Sequence, residues 1–315
     1  MQSAICTLFE GHYHHGLAGL TNSLHKNGFR GHIYAGYKGQ LPDWAAKSVA
    51  NNDLGWPDAK TLTLADGVQI HFLPVVTKTH FTNYKPDYML QLWAGPAKDA
   101  QGLMYFDPDI VIKCKWDFYE NWITHGVAVV HEITANDMPA SHPIRQEWIK
   151  VIEKSGLTVT RQLTSYINAG FCGINRNCIE FLEKWSIIIK TAVRDYGFVS
   201  ENFQFTNRTD PFFAGDQDAM NIAAMCCESP LSEMGPEGMD LTYGGFTMSH
   251  AIGSPKPWKK NYLQSTFKGI APSLADKEFW ANMQSPISSY SVNTIKKKRL
   301  SMSVAGLIGR FYKKS

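Results

Sequence analysis

The stretch MYFDPDIVI at residues 104–112 decides the fold class, because its apolar run stops abruptly at two acids. Residues 103–106 predict a buried strand, and Asp107-Pro108-Asp109 ends that strand in a turn that the proline stiffens. Mg²⁺ and Mn²⁺ prefer oxygen ligands and often bridge protein carboxylates to phosphates. Two carboxylates one residue apart at a strand tip therefore indicate a site for a divalent cation.

Strand and helix patterns alternate on both sides of this stretch. Strands are predicted at residues 3–9, 32–35, 68–76, 127–131 and 167–174, and helices at residues 17–26, 84–93, 144–154, 178–196 and 216–227. This alternation predicts an α/β fold with a mainly parallel sheet covered by helices on both faces. Ligands of such sheets bind beyond the carboxyl ends of strands, which is where Asp107 and Asp109 fall.

A second motif, HAIGSPKPW at residues 250–258, combines a metal ligand with a phosphate-binding charge. The imidazole of His250 can ligate a borderline ion such as Mn²⁺. Gly253 permits a close approach of the backbone, and Lys256 supplies a positive charge for a phosphate oxygen. The two prolines hold Lys256 in an extended conformation.

Two further segments carry carboxylate and amide side chains that could act in catalysis or bind a sugar. The segment GDQDAMN at residues 215–221 begins a predicted helix, so Asp216 has a simple explanation as a helix cap, which Gln217 and Asp218 lack. In NAGFCGIN at residues 168–175, Asn168 offers a donor and an acceptor for sugar hydroxyls, although the glycines are equally typical of a bulged strand.

These four motifs, in this order, resemble the pattern of glycosyltransferase family 8, which contains glycogenin and bacterial lipopolysaccharide galactosyl- and glucosyltransferases. The resemblance extends over roughly residues 3–260. It implies a GT-A fold with a Rossmann-like nucleotide-binding sheet, a UDP-sugar donor, and Mn²⁺ or Mg²⁺ as the cofactor. It also implies that a hexose is transferred with retention of the anomeric configuration to a glycan, lipid-linked or lipopolysaccharide acceptor.

The resemblance also implies a role for individual residues. The metal ligands would be Asp107, Asp109 and His250, the catalytic residues Gln217, Asp216 and Asp218, and the donor-binding residues Thr7, Tyr13, Asn168, Gly253 and Lys256. The chain departs from the family pattern at two places. Phe9 stands where an acid is common, and the helix before the DxD motif lacks the usual arginine, for which Lys85 is the candidate substitute.

The sequence leaves two mechanisms open, and it also allows two functions other than glycosyl transfer. Gln217 is a poor nucleophile, so we expect same-face attack with its amide stabilising an oxocarbenium-like sugar, the alternative being Asp216 or Asp218 as a nucleophile. One other function is a sugar-phosphate nucleotidyltransferase, which residues 11–19 disfavour because they contain no Lys or Arg. Another is a non-enzymatic carbohydrate-binding protein on the same fold.

Composition favours a folded enzyme in a reducing compartment. The chain has 315 residues, of which 44% are hydrophobic and 19% charged, which allows a large core and argues against disorder. The N-terminus has no signal-peptide pattern, and no apolar run approaches the roughly 20 residues that span a bilayer. The six cysteines form no CxxC pair, so we expect a cytoplasmic protein. The basic tail described next adds the expectation of a peripheral position at the inner face of the membrane.

The last 21 residues differ in charge from the rest. Residues 295–315 hold seven cations and no acid, which leaves 24 basic against 28 acidic residues elsewhere, a net charge of −4. The predicted division is therefore a catalytic domain at residues 1–265 and an extension at residues 266–315. One apolar helical stripe in this extension is formed by Leu300, Val304, Leu307, Ile308 and Phe311.

The stripe and its flanking cations suit the headgroup layer of an anionic membrane. The alternative is a terminal helix docked on the catalytic body with its cations in water. Nucleic acid is not an expected partner, because the basic residues are confined to the tail and no stacking platforms accompany them.

Overall fold

The computed structural model describes residues 2–133, 138–203 and 207–311, so the tail cations Lys313 and Lys314 lie outside it. The strands are β1 Ser3–Glu10, β2 His32–Lys38, β3 Val49–Ala50, β4 Lys60–Thr63, β5 Gln69–Pro74, β6 Gly102–Phe106, β7 Ile110–Ile112, β8 Val127–His131, β9 Ile167–Asn175, β10 Leu231–Met234 and β11 Met248–His250. The α-helices are α1 His14–Lys26, α2 Phe81–Ala94, α3 Trp116–Trp122, α4 Pro143–Lys154, α5 Ile179–Asp195, α6 Asp216–Cys226, α7 Tyr262–Phe267, α8 Leu274–Ala281 and α9 Val292–Phe311.

A mixed sheet forms the centre of the molecule. Its strand order is β10-β8-β9-β6-β1-β2-β5-β4-β3, with β6, β1, β2 and β5 parallel to one another. β9 runs antiparallel between β6 and β8, and β4 runs antiparallel to β5. The α/β fold predicted from the sequence is confirmed.

Helices cover both faces of this sheet because successive strand residues point to opposite sides. In β1, Ala4, Cys6 and Leu8 belong to an apolar cluster that includes residues of α2, α4, α5 and α6. Ile5 and Phe9 belong to the cluster on the other face, which includes residues of α1, α3, α8 and α9. The central strands are therefore buried on both sides, as their continuous apolar runs indicate.

A short antiparallel ribbon of β7 and β11 lies outside the main sheet. Its register pairs Met248 with Ile112 and His250 with Ile110. The ribbon brings a segment near residue 250 against the turn that follows β6. It is the structural reason that two motifs about 140 residues apart come together.

The C-terminal helix α9 docks by a different face from its predicted stripe. Ile295, Met302 and Ala305 are buried against the body, whereas Leu300, Val304, Leu307 and Phe311 are exposed. The side chains of Lys298 and Arg299 donate to backbone carbonyls of the body. No helix in the described ranges is both long enough and apolar enough to cross a membrane.

Candidate active site

Three elements position the acids and the imidazole of the predicted metal site. Asp107 follows the buried strand β6, and Asp109 ends the tight turn before β7, where the Ile110 amide donates to the Asp107 carbonyl at 3.0 Å. His250 is the last residue of β11 and pairs with Ile110 across the ribbon. One ligand atom from each of the three side chains lies within 4.8 Å of the others.

The two carboxylates approach the same imidazole nitrogen. His250 Nε2 lies 3.4 Å from Asp109 Oδ1 and 3.8 Å from Asp107 Oδ2. Asp109 and His250 are buried, whereas Asp107 is partly exposed. Two carboxylate oxygens and one imidazole nitrogen are a donor set that fits Mn²⁺, and the described residues hold no other such group of three. The residues that the sequence predicted as metal ligands are thus brought together.

Two glycines allow this cluster to form. A Cβ added to Gly16 of α1 would lie 2.3 Å from the carbonyl oxygen of Pro108, the middle residue of the acidic turn. A Cβ added to Gly170 of β9 would lie 2.4 Å from the imidazole of His250. The acidic turn and the histidine ring therefore pack directly against backbone, which fixes their positions.

Lys256 neutralises Asp109. Its ammonium lies 2.5 Å from Asp109 Oδ2 and also donates to the carbonyl oxygen of Ala251. Burial alone would raise the pKa of Asp109, but His250 and Lys256 outweigh burial and hold that pKa well below its ordinary value. Gly253, which has a left-handed φ of +78°, lies in the same loop and lines the cavity described below.

Lys85 links the metal cluster to the segment around Gln217. Its buried ammonium lies 3.2 Å from Asp107 Oδ1 and 3.0 Å from Asp216 Oδ2, and it donates to the carbonyl of Ala169 at 2.9 Å. Burial lowers the pKa of Lys85, but the two carboxylates outweigh it and leave that pKa above its ordinary value. The lysine that the sequence offered in place of an arginine thus lies at the site.

The acids on either side of Gln217 face different partners. Asp216 is the first residue of α6, and its carboxylate is paired with Lys85 rather than capping the helix. Asp218 is buried, and it accepts from the Tyr166 hydroxyl at 2.7 Å and from the Ala214 amide at 2.5 Å. Burial raises the pKa of Asp216 to about 6 and that of Asp218 to about 7.

Gln217 and Asn168 lie side by side on the cavity wall. Gln217 Oε1 accepts from the Ala169 amide at 3.1 Å, next to Asn168 in β9. The side chain of Asn168 accepts from the Gly170 amide and donates to Glu132 Oε2 at 2.6 Å. Glu132 is a buried acid that no sequence pattern predicts, because it follows β8 without any motif around it.

The two residues predicted to hold the nucleotide end of the donor occupy different places. Tyr13 lines the cavity and packs edge-on against Trp258 with ring centroids 5.6 Å apart. Thr7 is completely buried within β1, and its hydroxyl has no hydrogen-bond partner among the described residues. The structure therefore does not bring Thr7 to the cavity surface.

A cavity of about 910 Å³ joins these groups. It is lined by the three metal-cluster residues, by both lysines, by Gln217 with its two flanking acids, and by Glu132, Asn168, Gly253 and Tyr13. The cavity is also lined by residues before and within α4 and before α6, namely Met138, His142, Ile144, Arg208, Asp210, Phe213 and Ala214. The space is large enough for a nucleotide sugar, since ligand cavities commonly measure about 300–1,000 Å³.

The comparisons with known proteins identify the class of fold. No protein-family profile matches this sequence, and no curated protein matches it either. Among solved structures, the chain is similar to the apo structure of WbbM, a bifunctional glycosyltransferase, with a TM-score of 0.51 and 13% sequence identity. The similarity covers 94% of this chain and 51% of that chain, so this chain spans about half the length of WbbM.

Similarity at this level of identity establishes the fold and leaves the family open. The large mixed sheet with helices on both faces is the Rossmann-like arrangement of the GT-A fold, as the sequence predicted. Membership of glycosyltransferase family 8 stays a prediction that rests on the four motifs.

Proposed function

We propose that this chain is a metal-dependent, retaining glycosyltransferase that moves a hexose from a UDP-sugar to a glycan, lipid-linked or lipopolysaccharide acceptor. The observation that carries the proposal is the cluster of Asp107, Asp109 and His250 on the wall of a cavity that also contains Lys256 and Gln217. A site that could hold a divalent ion, two cationic side chains and an uncharged amide in one cavity match the needs of a diphosphate leaving group and a sugar that becomes positive.

The proposed roles follow from charge and position. Asp107, Asp109 and His250 would hold Mn²⁺ or Mg²⁺, which supplies positive charge to the departing diphosphate. Lys256 adds a second positive charge on the same side, and the backbone at Gly253 permits the phosphates to approach closely. Tyr13 supports the nucleotide end of the donor.

Gln217 is the proposed residue beside the anomeric carbon, with Asn168 binding donor-sugar hydroxyls. The Ala169 amide fixes the Gln217 side chain, which favours stabilisation of an oxocarbenium-like sugar during same-face attack. Hydrogen bonds lower the nucleophilicity of both Asp218 oxygens, and Lys85 neutralises the charge of Asp216. These contacts support Gln217 over either acid, although a double displacement through Asp216 or Asp218 is the alternative that the test below distinguishes.

An anionic membrane surface is the proposed partner of α9, which would place the enzyme at the inner face of the membrane beside a lipid-linked acceptor. Leu300, Leu307 and Phe311 are 66%, 57% and 87% exposed on one side of the helix. Lys296, Lys297 and Arg310 are exposed along the same helix. An outward apolar face bordered by cations suits a headgroup layer better than it suits water.

Hydrolysis of UDP-sugars tests the proposal without knowledge of the acceptor. We expect slow, Mn²⁺-dependent release of UDP from one UDP-hexose, lost with a chelator and lost in Asp109→Ala, whereas Asp99→Ala, which changes an exposed acid, retains it. Conversion of a UDP-sugar and pyrophosphate to UTP and a sugar 1-phosphate would instead indicate a nucleotidyltransferase. Sugar binding without any turnover would indicate a carbohydrate-binding protein.

Trapping of the donor sugar distinguishes the two retaining mechanisms. A sugar covalently attached to Asp216 or Asp218, detected by mass spectrometry after incubation with a fluorinated UDP-hexose, would establish double displacement. An unmodified peptide, together with turnover that falls in Gln217→Ala, would support same-face attack.

A further inference from the structure

Each carboxylate of the metal cluster divides its two oxygens between different partners. Asp109 turns Oδ1 toward the imidazole of His250 and gives Oδ2 to Lys256. Asp107 turns Oδ2 toward the same imidazole and gives Oδ1 to Lys85, at 3.2 Å. The Tyr105 hydroxyl donates to that same outer oxygen at 3.0 Å.

The contacts with the two lysines limit how many carboxylate oxygens are available to an ion at this site. An oxygen that is already held by a lysine is less available as a ligand, so each carboxylate would offer one oxygen to an ion beside His250. Ca²⁺ takes 6–8 oxygen ligands and often binds carboxylates through both oxygens, whereas Mg²⁺ binds through few carboxylates and keeps waters and phosphate oxygens. A site with one oxygen from each acid is therefore poor for Ca²⁺.

We propose that Lys85 and Lys256 are positioning residues that select small divalent ions over Ca²⁺ by holding the outer oxygens of Asp107 and Asp109. The inference rests on the metal site of the proposed function, and it gives the two lysines a role that precedes donor binding. Lys85 is fixed for this role by burial and by its further contacts to Asp216 and Ala169. Lys256 is fixed by the Ala251 carbonyl.

The first test measures metal preference without nucleotide. Free Mn²⁺ is followed by electron paramagnetic resonance while Ca²⁺ competes, and the ratio of the Ca²⁺ and Mn²⁺ dissociation constants is compared between variants. We expect Lys256→Met to lower this ratio by about tenfold, the lower end of the usual effect of an outer-shell partner. Lys256→Arg keeps a donor on Asp109 Oδ2 and should retain most of the preference.

Lys259→Met is the matched control, because it removes the same charge from an exposed lysine three residues away. A general electrostatic effect would change the affinity for both ions and leave the ratio unaltered in both variants. An unchanged ratio in Lys256→Met, or an equal fall in Lys259→Met, would overturn the proposal. A wild-type protein without preference for Mn²⁺ over Ca²⁺ would overturn it as well.

A second variant tests Lys85 while preserving the buried charge balance. Lys85→Met combined with Asp216→Asn removes one cation and one acid together, and thermal melting checks that the protein remains folded. We expect the ratio to fall by less than in Lys256→Met, since Tyr105 still holds Asp107 Oδ1. Mn²⁺-dependent release of UDP by wild-type protein is measured in parallel, so an unchanged ratio with intact turnover would refute the lysine role and leave the proposed function standing.

Discussion

Burial of the Asp218 carboxyl raises its pKa, and this makes the stability of the protein depend on pH. Its pKa rises from 3.8 to about 7 on folding because the carboxyl is removed from water. Below about pH 4 the carboxyl is protonated in both the folded and the unfolded chain. Between about pH 4 and pH 7 the unfolded carboxyl loses its proton while the folded carboxyl keeps it, so this contribution to stability is lost across that range and does not change above it.

We therefore predict that Asp218→Asn reduces the pH dependence of the free energy of unfolding. Relative to the variant, the wild-type protein should lose on the order of 4 kcal/mol between pH 4 and pH 8, from a shift of about three pKa units. Urea unfolding at several pH values measures this difference. Parallel curves for the two proteins would contradict the prediction.

Single residues of the site were predictable where a motif surrounded them. Asp107, Asp109 and His250 were predicted from their motifs and lie together. Glu132 was not predictable, because an acid after a strand is ordinary and its contact with Asn168 depends on the pairing of β8 with β9. Thr7 was chosen by its place along β1, but side-chain direction alternates along a strand, and its hydroxyl lies in the interior.

At the scale of elements, the contact between α1 and the acidic turn sets the metal site. The helix carries Gly16 where its surface meets the carbonyl of Pro108. No side chain fits there without moving the turn or the helix, and a moved turn displaces both carboxylates.

We predict that Gly16→Ala weakens Mn²⁺ binding by about tenfold and destabilises the protein by about 1–3 kcal/mol, the usual cost of overpacking. Isothermal titration and thermal melting measure the two effects. Gly306→Ala is the matched control, because this glycine also lies within a helix but has open space around its Cβ position. The control should be neutral or slightly stabilising, and equal behaviour of the two variants would refute the packing argument.

Long elements were predicted well and short ones were missed. Every strand and helix predicted from apolar periodicity exists, although α1 begins at His14 and β5 covers only Gln69–Pro74. The strands β3, β4, β7, β10 and β11 and the helices α3, α7 and α8 escaped prediction. Strands of two to four residues are too short for a periodic signal, and β11 forms only because β7 pairs with it.

At the scale of the molecule, the alternation of strands and helices along the sequence predicted a mainly parallel sheet but not the order of the strands within it. The antiparallel insertion of β9 between β6 and β8 depends on contacts between distant segments, which periodicity does not report. Four of the five residues of the predicted stripe of α9, Leu300, Val304, Leu307 and Phe311, are exposed. The outward direction of the stripe was not predictable, because a second face with Ile295, Met302 and Ala305 competes for the body and forms the buried contact.

We predict that the exposed face of α9 binds vesicles containing anionic phosphatidylglycerol and not vesicles of phosphatidylcholine alone. Leu307→Ser combined with Phe311→Ser should reduce the affinity by about tenfold or more, since burial of each side chain contributes about 1.5–3 kcal/mol. Co-sedimentation measures the binding.

A variant at Ile187 and Val193 of α5, two exposed apolar residues changed to serine, provides the control and should bind normally. These substitutions leave the buried face of α9 intact, whereas removal of the whole helix would also uncover the body. Equal sedimentation of the α9 variant and the unaltered protein would show that this face has no role at a membrane.

Diffraction from crystals grown with Mn²⁺ and UDP, recorded at the manganese absorption edge, is the most direct test of the central claim. One anomalous peak is expected within ligand distance of Asp107, Asp109 and His250, with the diphosphate of UDP beside it and near Lys256. UDP bound in the cavity without an anomalous peak among those three side chains would contradict the account.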